Sequence, residues 1–286
     1  MKKVMILGAG NGQIPFINIC KEMGCYVICA SVEGDYPGFK IADKNYYVDT
    51  RDKETLLEIA RNENIDAITS DQTDVSMPAV AYVSEKLGLK SIGYETSISV
   101  SDKYVMRQEA AALGVAVPSF YKASTVEEAL QNIHKIEMPA IMKPIDSSGS
   151  RGVRKFNNAD ELKSFFDETK QYSKSGEVII EEFIEGREYL ADGLAIDGKF
   201  INTDLGIKEY FDKEGMYISK MCMFTSASVI DEPSELAVLE ANKKMAEGLQ
   251  LKFGITHGEY IVSKKNGKAY LVEIAARGGG VYLSSH

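Results

Sequence analysis

Residues 258–277 read Gly258-Glu259-Tyr260-Ile261-Val262-Ser263-Lys264-Lys265-Asn266-Gly267-Lys268-Ala269-Tyr270-Leu271-Val272-Glu273-Ile274-Ala275-Ala276-Arg277. Two runs rich in Val, Ile, Tyr and Leu, 258–263 and 269–275, flank Asn266-Gly267, a pair suited to a tight turn, so the stretch predicts a β-hairpin. Loop length decides what this hairpin presents. A two-residue loop at Asn266-Gly267 opposes Glu259 to Ile274 and sends Glu259 and Glu273 to opposite faces. A three-residue loop, Lys265-Asn266-Gly267 with Gly267 left-handed, sets Glu259 directly opposite Glu273 on one face. Like charges so placed repel unless a cation lies between them. Alternation brings Ala275 and Arg277 onto the face of Glu273. Two carboxylates and an arginine beside a phosphate-binding loop are what a magnesium nucleotide requires. The plainer alternative is a surface hairpin with scattered charge.

Such a loop exists upstream. Ile141-Met142-Lys143-Pro144 ends a strand with a lysine that the proline holds extended, and Asp146-Ser147-Ser148-Gly149-Ser150-Arg151-Gly152 follows. Hydroxyls and glycines in that density can fold N–H and O–H groups around phosphate oxygens, with Arg151 adding charge. A solvated connection is the alternative, and no Gly-Lys-Ser/Thr makes it a Walker loop. Glu181-Glu182-Phe183-Ile184-Glu185-Gly186-Arg187-Glu188 then leaves a strand with carboxylates suited to an amino group or ribose hydroxyls.

The first hundred residues alternate strand and helix patterns: strands over 4–7, 26–31 and 65–70, and helices over 14–23, 51–62 and 75–87, with Asp49 and Thr50 as caps of the second helix. That alternation predicts a parallel, doubly wound sheet with its ligand edge at the carboxyl ends of the strands. Asn11, Gln13, Asp71 and Gln72 stand at those ends and are the candidate substrate residues. Gly8-x-Gly10, with Glu33 after the second strand, invites a dinucleotide reading, but Gln13 replaces the third glycine of that fingerprint. A tight structural turn is the better account. Helices are expected over 102–113, 125–136, 159–169 and 235–249, among strands that become dominant after Gly186.

Lys plus Arg number 33 against 42 Asp plus Glu, a net charge of −9, which argues against a nucleic-acid partner. No stretch approaches the 18 or so apolar residues a membrane span requires. Cys20, Cys25, Cys29 and Cys222 lack zinc-site spacing and read as thiols of a reducing cytoplasm.

Taken together, Asp102-Lys103, Met142-Lys143-Pro144, the 147–152 loop, Glu181 through Ile184 with Gly186-x-Glu188, Glu259, and Glu273-Ile274-Ala275-Ala276-Arg277 resemble the ATP-grasp enzymes in order and spacing. The likeness is to the branch with carbamoyl-phosphate synthase large chains, biotin carboxylase and purine-pathway carboxylate–amine ligases. It runs from the first strand to about Gly280. The fold it implies is α/β: a Rossmann-like pre-ATP-grasp sheet over 1–100, a linker helix and α+β lid over 101–186, and a mostly antiparallel C-terminal subdomain over 187–286. The cofactors implied are ATP and Mg2+ or Mn2+.

By the same resemblance, Lys103 and Lys143 hold phosphates while Ser147, Ser148, Gly149, Ser150, Arg151 and Gly152 close over them. Glu181 meets the adenine amino group beside Glu182 and the backbone of Phe183 and Ile184, and Glu188 takes the ribose. Glu259 and Glu273 are the metal ligands. Arg277, with Lys143 the catalytic pair, steadies the transferred phosphate. Two departures stand out: Ala275 replaces an Asn common in relatives, and the chain stops at His286, where relatives run on.

The expected activity is an ADP-forming ligase that makes an acyl phosphate for attack by an amine or ammonia, as carbamoyl-phosphate synthase does. The expected partners are a small-molecule carboxylate and an amine, with no nucleic acid and no membrane. The early stop motivates a second reading, an incomplete nucleotide-binding module finished by a partner subunit or a homo-oligomer. A nicotinamide oxidoreductase is the remote third.

Overall fold

A computed structural model of the chain describes residues 1–147, 149–211 and 219–279. The alternating N-terminal pattern folds as β1 (Lys3–Leu7), α1 (Ile14–Glu22), β2 (Tyr26–Ser31), α2 (Gly38–Ile41), β3 (Lys44–Tyr47), α3 (Lys53–Glu63), β4 (Ala67–Thr69) and α4 (Met77–Leu87). These strands form a parallel sheet in the order β3-β2-β1-β4. Strand β3 has no apolar run to announce it: Lys-Asn-Tyr-Tyr lies at the sheet edge, none of it buried. Helix α3 is capped by Asp52, which accepts from Thr55 N–H at 3.1 Å, not by Asp49 or Thr50. Asp49 turns instead to the Arg51 guanidinium at 2.5 Å.

After α5 (Tyr94–Ser99), Asp102 opens α6 (Lys103–Ala112) by accepting from the N–H groups of Tyr104 and Val105. Lys103, Met106, Arg107 and Ala110 make the buried face of α6 at helical spacing. The next unit runs β5 (Phe120–Ala123), α7 (Val126–Asn132), β6 (Ala140–Pro144), β7 (Arg154–Phe156), α8 (Ala159–Lys170) and β8 (Val178–Glu182). Its antiparallel sheet, β5-β8-β6-β7, buries Met142, Phe156, Phe166 and Ile180 in a core of its own.

The rest is β9 (Gly186–Ile196), β10 (Lys199–Tyr210), β11 (Ser219–Ser226), α9 (Pro233–Gly248), β12 (Gly254–Ser263) and β13 (Ala269–Ala275). The antiparallel order is β11-β10-β9-β12-β13. Its core is continuous with that of the N-terminal sheet: Met5, Leu7 and Val80 share one cluster with Met106, Tyr260, Leu271 and Ile274. Gly280 to His286, on which the expectation about the chain end rests, lie outside the described residues.

The β12–β13 hairpin corrects the sequence reading while keeping its consequence. Ser263 N–H bonds Lys268 O at 3.0 Å, so residues 264–267 form a four-residue loop, not three; Gly267 is left-handed at φ 70°. That register pairs Tyr260 with Leu271, which alone would leave Glu259 opposite Val272. A bulge then leaves Val272 without an opposite residue and pairs Glu259 with Glu273. Among the described residues, no helix is long and apolar enough to cross a membrane.

Candidate active site

A cavity opens between the β6–β8 unit and the β12–β13 hairpin, with α6 behind it. Lys143, at the end of β6, reaches Glu181 Oε2 at 2.6 Å. Glu181 Oε1 faces Arg107 Nε at 2.6 Å, and Arg107 Nη2 donates to Val272 O at 2.7 Å. Both Arg107 and Glu181 are 1% exposed. Burial would raise the Glu181 carboxyl, but the charges of Arg107 and Lys143 hold it down at about 2.

The facing wall carries Glu259 and Glu273, each about a quarter exposed. Their cations stand farther off: Lys208 Nζ lies 3.4 Å and His257 Nε2 3.7 Å from Glu259, and Lys103 Nζ 3.6 Å from Glu273. Lys103 Nζ also donates to Ser147 O at 2.6 Å, which ties the start of α6 to the loop. His257 Nδ1 meets Asp192 at 2.6 Å. Burial would lower the His257 imidazole, yet its contacts with Asp192 and Glu259 raise it to about 9. Desolvation would likewise raise Glu259, but His257 and Lys208 hold it at about 2. Glu188 is met by Lys208 at 2.8 Å and by the Tyr210 hydroxyl at 2.6 Å. The burial cost and the pull of Glu259 and Glu188 compete at Lys208, and the carboxylates win, raising its ammonium.

Ser147, Gly149, Ser150 and Arg151 line the cavity, as do Glu182, Phe183 and Ile184. Ser148 lies outside the described residues. Gly152 does not line it; at φ 71° it closes the loop where a Cβ would come 2.7 Å from Tyr172. Phe183 N–H is already given to Pro139 O at 3.0 Å. Arg277 does not line this cavity; its guanidinium forks onto Asp74 at 2.8 and 2.9 Å while Nη1 donates to Gly278 O. Asp74 lines a second cavity, which shares Lys103, Ser147, Arg151 and Glu273 with the first.

Asn11, Gln13, Asp71 and Gln72 do gather at the ends of β1 and β4, but line neither cavity. Gln13 spends its amide on the backbone, accepting from Gly10 N–H at 3.0 Å and donating to Asp71 O at 2.6 Å. Gln72, left-handed at φ 58°, donates to Gly12 O at 3.1 Å. Gln13 thereby fills the space over the glycine turn and takes the N–H a dinucleotide phosphate would need. That favours the structural account of Gly8-x-Gly10 over the nicotinamide one.

Arg107, Asp74, Lys208 and His257 were not singled out by the sequence reading. For Arg107 a signal existed. Spacing 103, 106, 107, 110 puts two cations on the apolar face of α6, and a charge on a buried face calls for a partner. Asp74, Lys208 and His257 carry no such local signal.

Residues 136–285, just over half of the chain, match the family model described as "ATP-grasp domain". The chain belongs to the ATP-grasp family. Among curated relatives of this ATP-grasp chain, alanine–anticapsin ligase of Bacillus subtilis (strain 168) is 28% identical over 244 residues, covering 79% of this chain and 51% of the relative. Formate-dependent phosphoribosylglycinamide formyltransferase of Wolinella succinogenes is 28% identical over 185 residues, 64% of this chain and 48% of the relative. The chain thus spans about half the length of these curated relatives. The solved structure of L-amino acid ligase from Bacillus licheniformis superposes with a TM-score of 0.81 at 21% identity, covering 99% of this chain and 70% of that one. The α/β fold expected from the motifs is therefore the fold observed.

Proposed function

We propose that this chain is an ATP- and magnesium-dependent ligase that activates a small-molecule carboxylate for attack by an amine or ammonia. The observation that carries the proposal is the opposition of Glu259 and Glu273 across β12 and β13, in one cavity with Lys103, Lys143, Ser147, Gly149, Ser150 and Arg151. The donor set suits a hard cation: two carboxylates supply oxygens, Ala275 supplies none, and phosphate oxygens with water would complete the shell. Among the described residues, no group of three or more His, Cys, Asp or Glu is gathered for a metal. When bound, the ion would neutralise charge on the transferred phosphoryl group.

In this reading Lys103 and Lys143 bind the phosphates, and Ser147, Gly149, Ser150 and Arg151 close over them. Glu188 takes the ribose hydroxyls. Glu181 accepts from the adenine amino group, and Ile184 N–H serves the base edge, since Phe183 N–H is already bonded. The γ-phosphoryl group passes from ATP to a carboxylate oxygen, giving ADP and an acyl phosphate. The amine attacks the acyl carbon, phosphate leaves with the C–O bond electrons, and the nitrogen gives up a proton. Arg277, oriented by Asp74, steadies the phosphate, so the chain contributes positioning and charge. The relatives' names, alanine–anticapsin ligase and a formate-dependent formyltransferase, support a carboxylate substrate. The thiols of Cys20, Cys25 and Cys29, none of them in a disulfide, support a reducing, cytoplasmic setting.

The test is ADP release from Mg-ATP across a panel of carboxylates, each with and without amines. Release that requires one carboxylate and rises with one amine is the expected result. Tight Mg-ATP binding with no release for any pair would favour the non-catalytic reading.

A further inference from the structure

One buried carboxylate in the cavity has its two oxygens on two different cations. Arg107 Nε is 2.6 Å from Glu181 Oε1, and Lys143 Nζ is 2.6 Å from Oε2. These cations are not equivalent. Arg107 is 1% exposed and tied at its far end to Val272 O at 2.7 Å, so β8 and β13 fix the guanidinium from two sides. Lys143 has a flexible stem, 12% side-chain exposure, and stands where the 147–152 loop begins.

A third feature points to a ligand. Arg107 Nη1 is buried with no hydrogen-bond partner, and Arg107 lines the cavity. A buried donor left unmet is costly, and native proteins carry few of them. The helix face could have held another aliphatic residue beside Met106 and Ala110. A guanidinium at this position therefore serves something other than packing.

A nucleotide brings phosphates that compete for Lys143. Once Nζ turns to them, Oε2 has lost its donor, and an incoming group must replace it. An exocyclic amine donates there; a ring carbonyl presents a second acceptor and is repelled. We propose that Arg107 is a positioning residue that keeps Glu181 ionised and aimed, so that Oε2 exchanges Lys143 for the 6-amino group of the base and the cavity selects adenine over a 6-oxo purine. This rests on the reading of the cavity as a nucleotide site with Lys143 at the phosphates. Without Arg107, the buried carboxyl takes up a proton when Lys143 departs. A protonated carboxyl donates to a 6-oxo group as readily as it accepts from a 6-amino group, so discrimination collapses. A site that reads a base by hydrogen bonding rejects the wrong group because its own polar atoms are then left unpaired.

The experiment compares Kd for ATP and for inosine triphosphate, both with Mg2+, by calorimetry from about pH 6 to pH 9. The unaltered chain should prefer ATP at every pH. Arg107→Gln should lower that preference by about tenfold or more, most at the acid end, while affinity for inosine triphosphate holds. Arg107→Lys keeps a charge without the fork that spans Glu181 and Val272, and should fall between. If Arg107→Gln does not fold, the double variant Arg107→Gln/Glu181→Gln removes the buried guanidinium and its carboxylate together, leaving only the partly exposed Lys143 without its partner. It should bind the two nucleotides about equally. A folded Arg107→Gln or double variant that keeps the unaltered ratio at every pH overturns the proposal. An unaltered chain that binds both nucleotides alike overturns the proposal and leaves the nucleotide reading standing, whereas one that binds neither overturns both. One that prefers ATP leaves that reading standing, and the variants then decide on Arg107 alone.

Discussion

Glu181 and the Glu259–Glu273 pair lie on facing walls of one cavity, and the protein meets their charges differently. Each Glu181 oxygen has a cation at 2.6 Å, a charge-assisted hydrogen bond on either side. The cations around Glu259 and Glu273 stand back at 3.4 to 3.7 Å, and the two carboxylates face each other. Glu181 is a finished ion pair set into the wall. Glu259 is held ionised by His257 and Lys208, and Glu259 and Glu273 both line the cavity. Burial and a lowered pKa are common to Glu181 and Glu259, and what separates them is the distance to the protein's own cations.

Substitution should break the two regions in opposite ways. Glu259→Gln and Glu273→Gln should each lower ADP-forming turnover by orders of magnitude, roughly a hundredfold or more, as loss of charge at a phosphoryl-transfer site does. Without nucleotide, the melting temperature of Glu273→Gln should hold or rise, because one of two like charges is gone. That of Glu259→Gln should fall slightly, because His257 and Lys208 lose a counter-charge. A variant that melts early and binds magnesium as before would make the pair structural. Glu181→Gln should do the reverse and destabilise the fold by about 3–5 kcal/mol, since Arg107 is left buried without its counter-charge. Urea unfolding checks this, and an unchanged midpoint would contradict the finished-pair account.

Smaller effects sharpen the contrast. Lys143→Ala should weaken ATP binding by about tenfold or more, whereas Lys135→Ala, on a surface turn of the same unit, should not change it. Equal affinities for the two variants would remove Lys143 from the phosphates. Acid should report on Glu181 as well. Its folded pKa, about 2, lies below the ordinary 4.5, so its contribution is full above 4.5 and disappears as pH falls from there through 2. Stability lost over that window should be smaller in Arg107→Gln/Glu181→Gln than in the unaltered chain, as measured by urea unfolding at each pH.

What the sequence revealed follows the range of the interactions involved. The hairpin and the strands that carry Lys143 and Glu181 are local patterns, and each formed close to where its spacing put it. Strand β3 escaped because an exposed edge needs no apolar run. The opposition of Glu259 and Glu273 was anticipated through the wrong loop, because a bulge at Val272 supplied the shift that loop length was expected to give. Arg107 shows locally as a charge on the buried face of α6 and Asp74 shows no local signal, and for both the partner is hidden. Glu181 is 74 residues from Arg107, and Asp74 is 203 residues from Arg277, so only the packed fold joins them.

The central claim is that Glu259 and Glu273 hold the cation that brings ATP into this cavity. The most direct measurement is the Kd for ATP with and without Mg2+, on the unaltered chain and on the Glu259→Gln/Glu273→Gln double variant. Magnesium should tighten ATP binding by the unaltered chain and leave the double variant's affinity unchanged. The same magnesium gain in both proteins, or no gain in the unaltered chain, would contradict the claim.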